Sequence, residues 1–220
     1  MLIAFEVNLL GRFWMPILRT STTTLELFGL SVVGGTVLGL VLAMMRVSRF
    51  GPAKGISWVL VWILRGVPAL ILLFFAFYGL PELGIHLQPI IAGALGLSLS
   101  AAAYNAEIIR SGILSVGSGQ WEASQALAMS PFAMWRRIVL PQSIRIALPP
   151  YMTNAITLLK STSLASTITI LEMTGEANRL ISTSLDPLEI LTDVALIYIL
   201  MAAVLATLQG VLEKTFELKQ

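Results

Sequence analysis

FGLSVVGGTVLGLVLAMM, residues 28 to 45, runs for eighteen positions without a charge and decides the fold class. A hydrocarbon core about 30 Å thick is crossed by roughly 20 helical residues, so this run predicts a span over about 23–46. Val194–Leu212 is equally clean and predicts a span over 190–213. Three further spans carry one polar interruption each: 56–80 contains Arg65, 87–110 reaches Glu107 near its end, and 146–171 contains Lys160. The reading is an all-α membrane protein of five transmembrane helices forming a single domain, 1–220. Neither an internal repeat nor a low-complexity segment divides the chain.

Composition agrees with this class. The 220 residues are 56% hydrophobic and 12% charged, with a mean hydropathy of +0.85, whereas a soluble domain carries about 25% charged residues. So few charges do not cover a water-soluble surface, which excludes a soluble enzyme. A net charge of +2 is too small and too dispersed for a nucleic-acid groove, and no nucleic-acid partner is expected. The absence of cysteine removes disulfides, thiolate zinc sites and thiol catalysis. His86 has no second ligand in its short loop, so no metal site is expected.

Orientation follows from the basic residues, which are retained on the cytoplasmic side. With the amino terminus outside, the inner segments hold Arg46, Arg49, Lys54, Arg110, Arg136, Arg137, Arg145, Lys214 and Lys219, and the outer ones hold only Arg12, Arg19 and Arg179. The expected topology is therefore multi-pass in the inner (plasma) membrane, amino terminus out and carboxyl terminus in. Residues 1–19 alternate Phe5, Leu9 and Phe13 with Glu6, Asn8 and Arg12, which predicts a short interfacial helix ahead of the first span. A cleavable signal peptide is not expected, because Glu6 interrupts the apolar stretch and no basic segment precedes it.

The third and fourth spans are joined by a long inner loop, 111–145, whose length predicts structure of its own. Ser118 or Gly119 is a candidate cap for a first helix over Gln120–Met129, with Glu122 in its opening turn. Ser130-Pro131 restarts the chain, and the second short helix is expected to end near Leu140, where Pro141 removes a backbone donor.

At these residues the sequence resembles the inner-membrane permease subunits of ATP-binding-cassette importers, whose inner loop carries Glu-Ala-Ala, Gly four residues later, and Ile-x-Leu-Pro beyond. This chain reads Glu122-Ala123-Ser124, Ala128, then Ile138-Val139-Leu140-Pro141. An alanine serves the tight turn at 128 if its backbone stays right-handed. Further blocks are similar to the polar amino-acid uptake branch: Arg65-Gly66-Val67-Pro68, Tyr78-Gly79-Leu80-Pro81, Ala103-Tyr104-Asn105-Ala106-Glu107, Gly119-Gln120-Trp121-Glu122 and Lys160-Ser161-Thr162-Ser163-Leu164. The resemblance implies the type I importer permease fold and a subunit that moves a polar amino acid or derivative. It also implies a second permease, identical or paralogous, an ATPase dimer docked on the 118–141 loop, and an extracytoplasmic substrate-binding protein. ATP and Mg would be bound by the ATPase, and no cofactor or catalytic residue is expected here; indeed the chain lacks the Gly-x-x-x-x-Gly-Lys-Ser/Thr phosphate cradle. Glu122 is then the polar anchor of the docked helix, and Ile138 and Leu140 are expected to fix it to the bundle, so that it moves as a rigid lever.

The charges within spans point to a solute path. Arg65 lies about nine residues, or about 14 Å, into its span, too deep for easy snorkelling. Lys160 sits about equally deep and opens a run of hydroxyl residues, Ser161, Thr162 and Ser163, that compete with helical hydrogen bonds. Tyr104 and Glu107 share a helix face with Ser111. Arg65 or Lys160 offers a cation to a substrate carboxylate, and Glu107 offers a carboxylate to its ammonium; alternatively Glu107 pairs with Arg110 one turn away, and the two cations serve backbone or partner groups. Trp58 and Trp62 are expected to be interfacial anchors, and Gly34, Gly35 and Gly39 to permit close helix packing. The competing functional reading is a stand-alone secondary transporter or channel for small polar solutes. A membrane-embedded enzyme has no nucleophile, base and orienter to support it.

Overall fold

In the computed structural model the described residues are 12–216, and they form ten α-helical segments with no strand among them. Helix α1 (Trp14–Val47) is 34 residues long, about 51 Å at 1.5 Å per residue, so it begins well before the expected 23. Residues 14–19, expected to belong to an interfacial helix, are its first turns; residues 1–11 of that expectation lie outside the described residues. Buried Ile17 and Thr24 lie two turns apart, and Thr24, Leu27, Ser31, Gly35, Gly39 and Leu42 then recur at three- and four-residue intervals, making one stripe. From Leu27 onward that stripe packs on α5 (Pro89–Leu114), and glycine is required for it: a Cβ on Gly35 would lie 2.7 Å from Ala101 Cβ, and one on Gly39 2.7 Å from Asn105 Cβ.

The expected second span, 56–80, is not one helix. Helix α2 (Gly51–Gly66) and the helical stretch from α3 (Ala69–Phe74) through a π-helical turn, Phe75–Gly79, to α4 (Leu80–Glu82) meet at a 105° bend. The cause is local. Pro68 drives Val67 out of helical geometry, to φ −91° and ψ 128°, and lacks the N–H that would continue the ladder. Among the described residues, α1, α5 and α10 (Pro187–Phe216) are long and apolar enough to cross a membrane, and the bent pair makes a fourth crossing if counted once.

After α5, α6 (Ser118–Ala126) is followed by α7 (Pro131–Met134), a π-helical turn Trp135–Val139 and α8 (Leu140–Ser161). Helicity is unbroken from Pro131 to Ser161, so Pro141 does not stop it. A wider turn of i to i+5 pairing directly precedes Leu140-Pro141, as another precedes Leu80-Pro81, and in both places it makes room for a ring that would otherwise strike the carbonyl four residues back. The expected span 146–171 is also corrected: α8 ends at Ser161, a 3-10 segment covers Thr162–Ile168, and Thr169 turns the chain with a left-handed φ of 67°. Helix α9 (Met173–Ser184), not foreseen in the sequence, is capped by Glu172, whose carboxylate accepts from Thr174 N at 2.9 Å and Gly175 N at 2.8 Å.

Leu27, Leu73, Leu97, Leu158 and Ile168 pack together as the main core. A smaller cluster at the end of α5 joins Ile113, Val116 and Val139.

Candidate functional site

The bend after α2 opens a cleft of about 630 Å3 between the end of that helix, α5 and α8. Arg65, in the last turn of α2, and Tyr104 on α5 line it together with Asn154, Thr157 and Ser161 on α8. The Arg65 guanidinium lies over the Tyr104 ring, 5.5 Å from its centroid, a cation–π contact that orients the side chain and leaves its donors open. Arg65 makes no ion pair among the described residues. Two polar links fix α8 against its neighbours: Asn154 Nδ2 donates to Asn105 Oδ1 at 2.9 Å, and the hydroxyls of Thr36 and Tyr151 are 2.6 Å apart.

Glu107 faces a neighbouring recess of about 420 Å3 lined also by Arg46, Trp58, Trp62 and Arg65. Its carboxylate accepts from Arg46 Nη1 at 2.6 Å and from Arg110, whose Nε lies 3.1 and 3.2 Å from the two oxygens. The alternative pairing read from sequence is thus the one formed, with Arg46 added from the end of α1. Trp58 and Trp62 are exposed on α2, at the edge of this recess. Ser111 does not line the cleft; its hydroxyl donates to Ile108 O at 3.0 Å.

The hydroxyl run after Lys160 loosens the helix in the expected manner. Thr162 Oγ1 donates to Leu159 O at 2.7 Å and Ser163 Oγ to Lys160 O at 2.7 Å, as α8 gives way to the 3-10 segment. Thr162 is buried and turned from the cleft, with Tyr198 OH 3.4 Å away. Ser163 is not among the cleft-lining residues. Lys160 is exposed on the face of α8 that carries Thr153 and Thr157, at i+7 and i+3 from them. Of six path candidates, the cleft gathers Arg65 and Tyr104, and Lys160 stands on the adjoining face.

In the loop between α5 and α8, Glu122 and Ala123 are exposed on α6, and Ser124 is buried with its hydroxyl on Gln120 O at 2.5 Å. Ala128 is left-handed, φ 51°, against the right-handed turn expected of an alanine. The reason is the helix end: Met129 N donates to Ser124 O at 3.1 Å and Ala128 N to Gln125 O at 2.9 Å, a Schellman arrangement that requires a left-handed residue at this position. Ser130 caps α7 as expected, accepting from Ala133 N at 3.3 Å. Leu140 does not fix the loop to the bundle: it is 48% exposed, whereas Val139 is 1% exposed and packs with Ile113 and Val116, and Ile138 is only half-buried. Trp121 and Trp135, edge to face at 6.0 Å, join α6 to the turn before α8; two tryptophans in a polar loop were the available signal for this contact. Leu127 and Phe132 are exposed beside them, 75% and 73%.

A family model described as "Binding-protein-dependent transport system inner membrane component" matches residues 35–217. The probable amino-acid ABC transporter permease protein YckA of Bacillus subtilis is 39% identical over 88% of this chain and 85% of its own. The nopaline transport system permease protein NocM of Agrobacterium fabrum is 38% identical over 92% of this chain and 88% of its own. Among solved structures, that of an amino acid ABC transporter with histidines superposes with a TM-score of 0.85 at 30% identity, covering 98% of this chain and 100% of that one.

Proposed function

The chain belongs to the family of binding-protein-dependent transport system inner membrane components, as the permease of an amino-acid ABC importer, and from that premise we propose how it works. Five crossings carry it through the inner membrane, the bent α2–α4 stretch and α8 with its 3-10 continuation counting as one each, with the amino terminus outside and the carboxyl terminus inside. An ATPase dimer that holds ATP and Mg docks on Glu122, Ala123 and Ala128, with Leu127 and Phe132 as its apolar contacts and buried Ser124 beneath them. A second permease completes the path, and an extracytoplasmic binding protein delivers a polar amino acid or derivative to it. Arg65, Tyr104 and Lys160 face the solute, whereas Glu107 ties α1 to α5.

The observation that carries this reading is the unbroken helix from Pro131 to Ser161, which begins in the inner loop and ends beside the cleft. Displacement of the loop by nucleotide-driven closure is passed along this continuous stretch to the wall of the cleft, through the π-helical turn and Pro149-Pro150. The test is uptake in proteoliposomes. The expected result is accumulation only with the ATPase, ATP and the binding protein present; uptake by this chain alone would establish the stand-alone transporter instead.

A further inference from the structure

An amino acid entering the cleft brings an ammonium with three donors and a carboxylate, and each must replace water with protein partners. The carboxylate best placed by sequence to take the ammonium, Glu107, is held by Arg46 and Arg110. The wall of the cleft offers something else. Thr153, Thr157 and Ser161 stand at i, i+4 and i+8 on α8, and each donates its hydroxyl proton to the helix itself: to Pro149 O at 3.1 Å, Thr153 O at 3.0 Å and Thr157 O at 2.9 Å. With their protons committed, these three oxygens face the cleft as acceptors. Asn154, between them, is polarised in the same sense, because its Nδ2 is turned to Asn105 Oδ1 and its Oδ1 accepts from nothing among the described residues. Asn105 is only 3% exposed and packs against Gly39 of α1, so its amide lies between the two helices.

We propose that the acceptor row of α8, Asn154 Oδ1 with the hydroxyl oxygens of Thr157 and Ser161, receives the substrate's ammonium while Arg65 receives its carboxylate, and that Asn105 is the positioning residue that aims Asn154. This rests on the transport reading above and assigns the zwitterion common to all amino acids to neutral acceptors and one cation. The guanidinium fork suits a carboxylate, and the row of lone pairs suits a donor-only group.

The experiment uses the permease–ATPase complex in nanodiscs, without binding protein, dialysed to equilibrium against an equimolar mixture of the protein amino acids and cystine, with retained solutes read by mass. The wild type is expected to retain at least one amino acid, and to retain its N-acetyl and carboxamide derivatives roughly tenfold less. Asn154→Leu is expected to lose roughly tenfold and Thr157→Val several-fold. Asn105→Leu is expected to weaken retention, and Asn105→Asp, which still accepts from the amide, to restore it; a merely structural role for Asn105 would not separate these two. Wild-type retention by Asn154→Leu, or equal retention of the N-acetyl derivative, overturns the proposal. If the wild type retains nothing while ATP-driven uptake of the same mixture proceeds with the binding protein, this assignment falls and the transport reading stands; if uptake fails as well, the transport reading falls.

Discussion

Ala128 holds a left-handed backbone without the freedom of glycine, at a cost of about 1 kcal/mol. Ala128→Gly is therefore expected to stabilise the end of α6 by that amount, read as roughly fivefold slower amide exchange over 118–129 with the rest of the chain unchanged. Glu107 bears the opposite load, since two arginines from two helices converge on it. Glu107→Gln is expected to destabilise the purified permease by about 1.5–3 kcal/mol in thermal unfolding, and Arg46→Ala in the same background to cost little more, because the two share one interaction. Lys160→Ala is expected to lower uptake several-fold with binding-protein affinity unchanged; a normal rate would remove Lys160 from the path. Single residues were readable where chemistry conflicted with setting, as with Arg65 in an apolar run. Asn105 and Asn154 were not, because 49 positions separate two unremarkable amides and only the packing of α5 on α8 makes them partners. Val139 was hidden for a related reason: the π-helical turn shifts helical phase, so the buried position falls one residue before Leu140.

The elements differ in how far composition determines them. A clean apolar run such as Phe28–Met45 permits only a helix in hydrocarbon, where every backbone group must be paired internally, so α1 was foreseeable. Its amino-terminal end was not, since Thr20, Ser21 and Thr22 return their hydroxyls to carbonyls three residues back and let polar sequence continue the helix. The 105° bend was missed because a hydropathy window measures side chains, whereas Gly66-Val67-Pro68 acts on backbone geometry. Pro141 failed as a stop signal because that rule assumes α geometry before it. For the inner loop, charge reversal on the exposed face of α6 tests docking: Glu122→Arg is expected to abolish copurification with the ATPase while the chain remains inserted. Retained copurification would move the interface off this helix.

For the whole molecule, the absence of cysteine allows an unambiguous map of sidedness. Leu185→Cys, at an 80% exposed position after α9, is expected to react with an impermeant maleimide in intact cells. Leu127→Cys, 75% exposed in the inner loop, is expected to react only after permeabilisation; the reverse pattern would invert the topology. The helix that starts at Pro131 also sets a geometric scale for transport. Ala133 and Asn154 are about 32 Å apart along it at 1.5 Å per residue, so if the π-helical turn and Pro149-Pro150 move with it as one body, a tilt of about 2° about the Ala133 end carries Asn154 through about 1 Å. That displacement takes the 2.9 Å bond to Asn105 past hydrogen-bonding range. Angular motions far smaller than a domain rotation are enough to release the amide, and the aim of Asn154 therefore switches over a narrow range of angle rather than drifting with it.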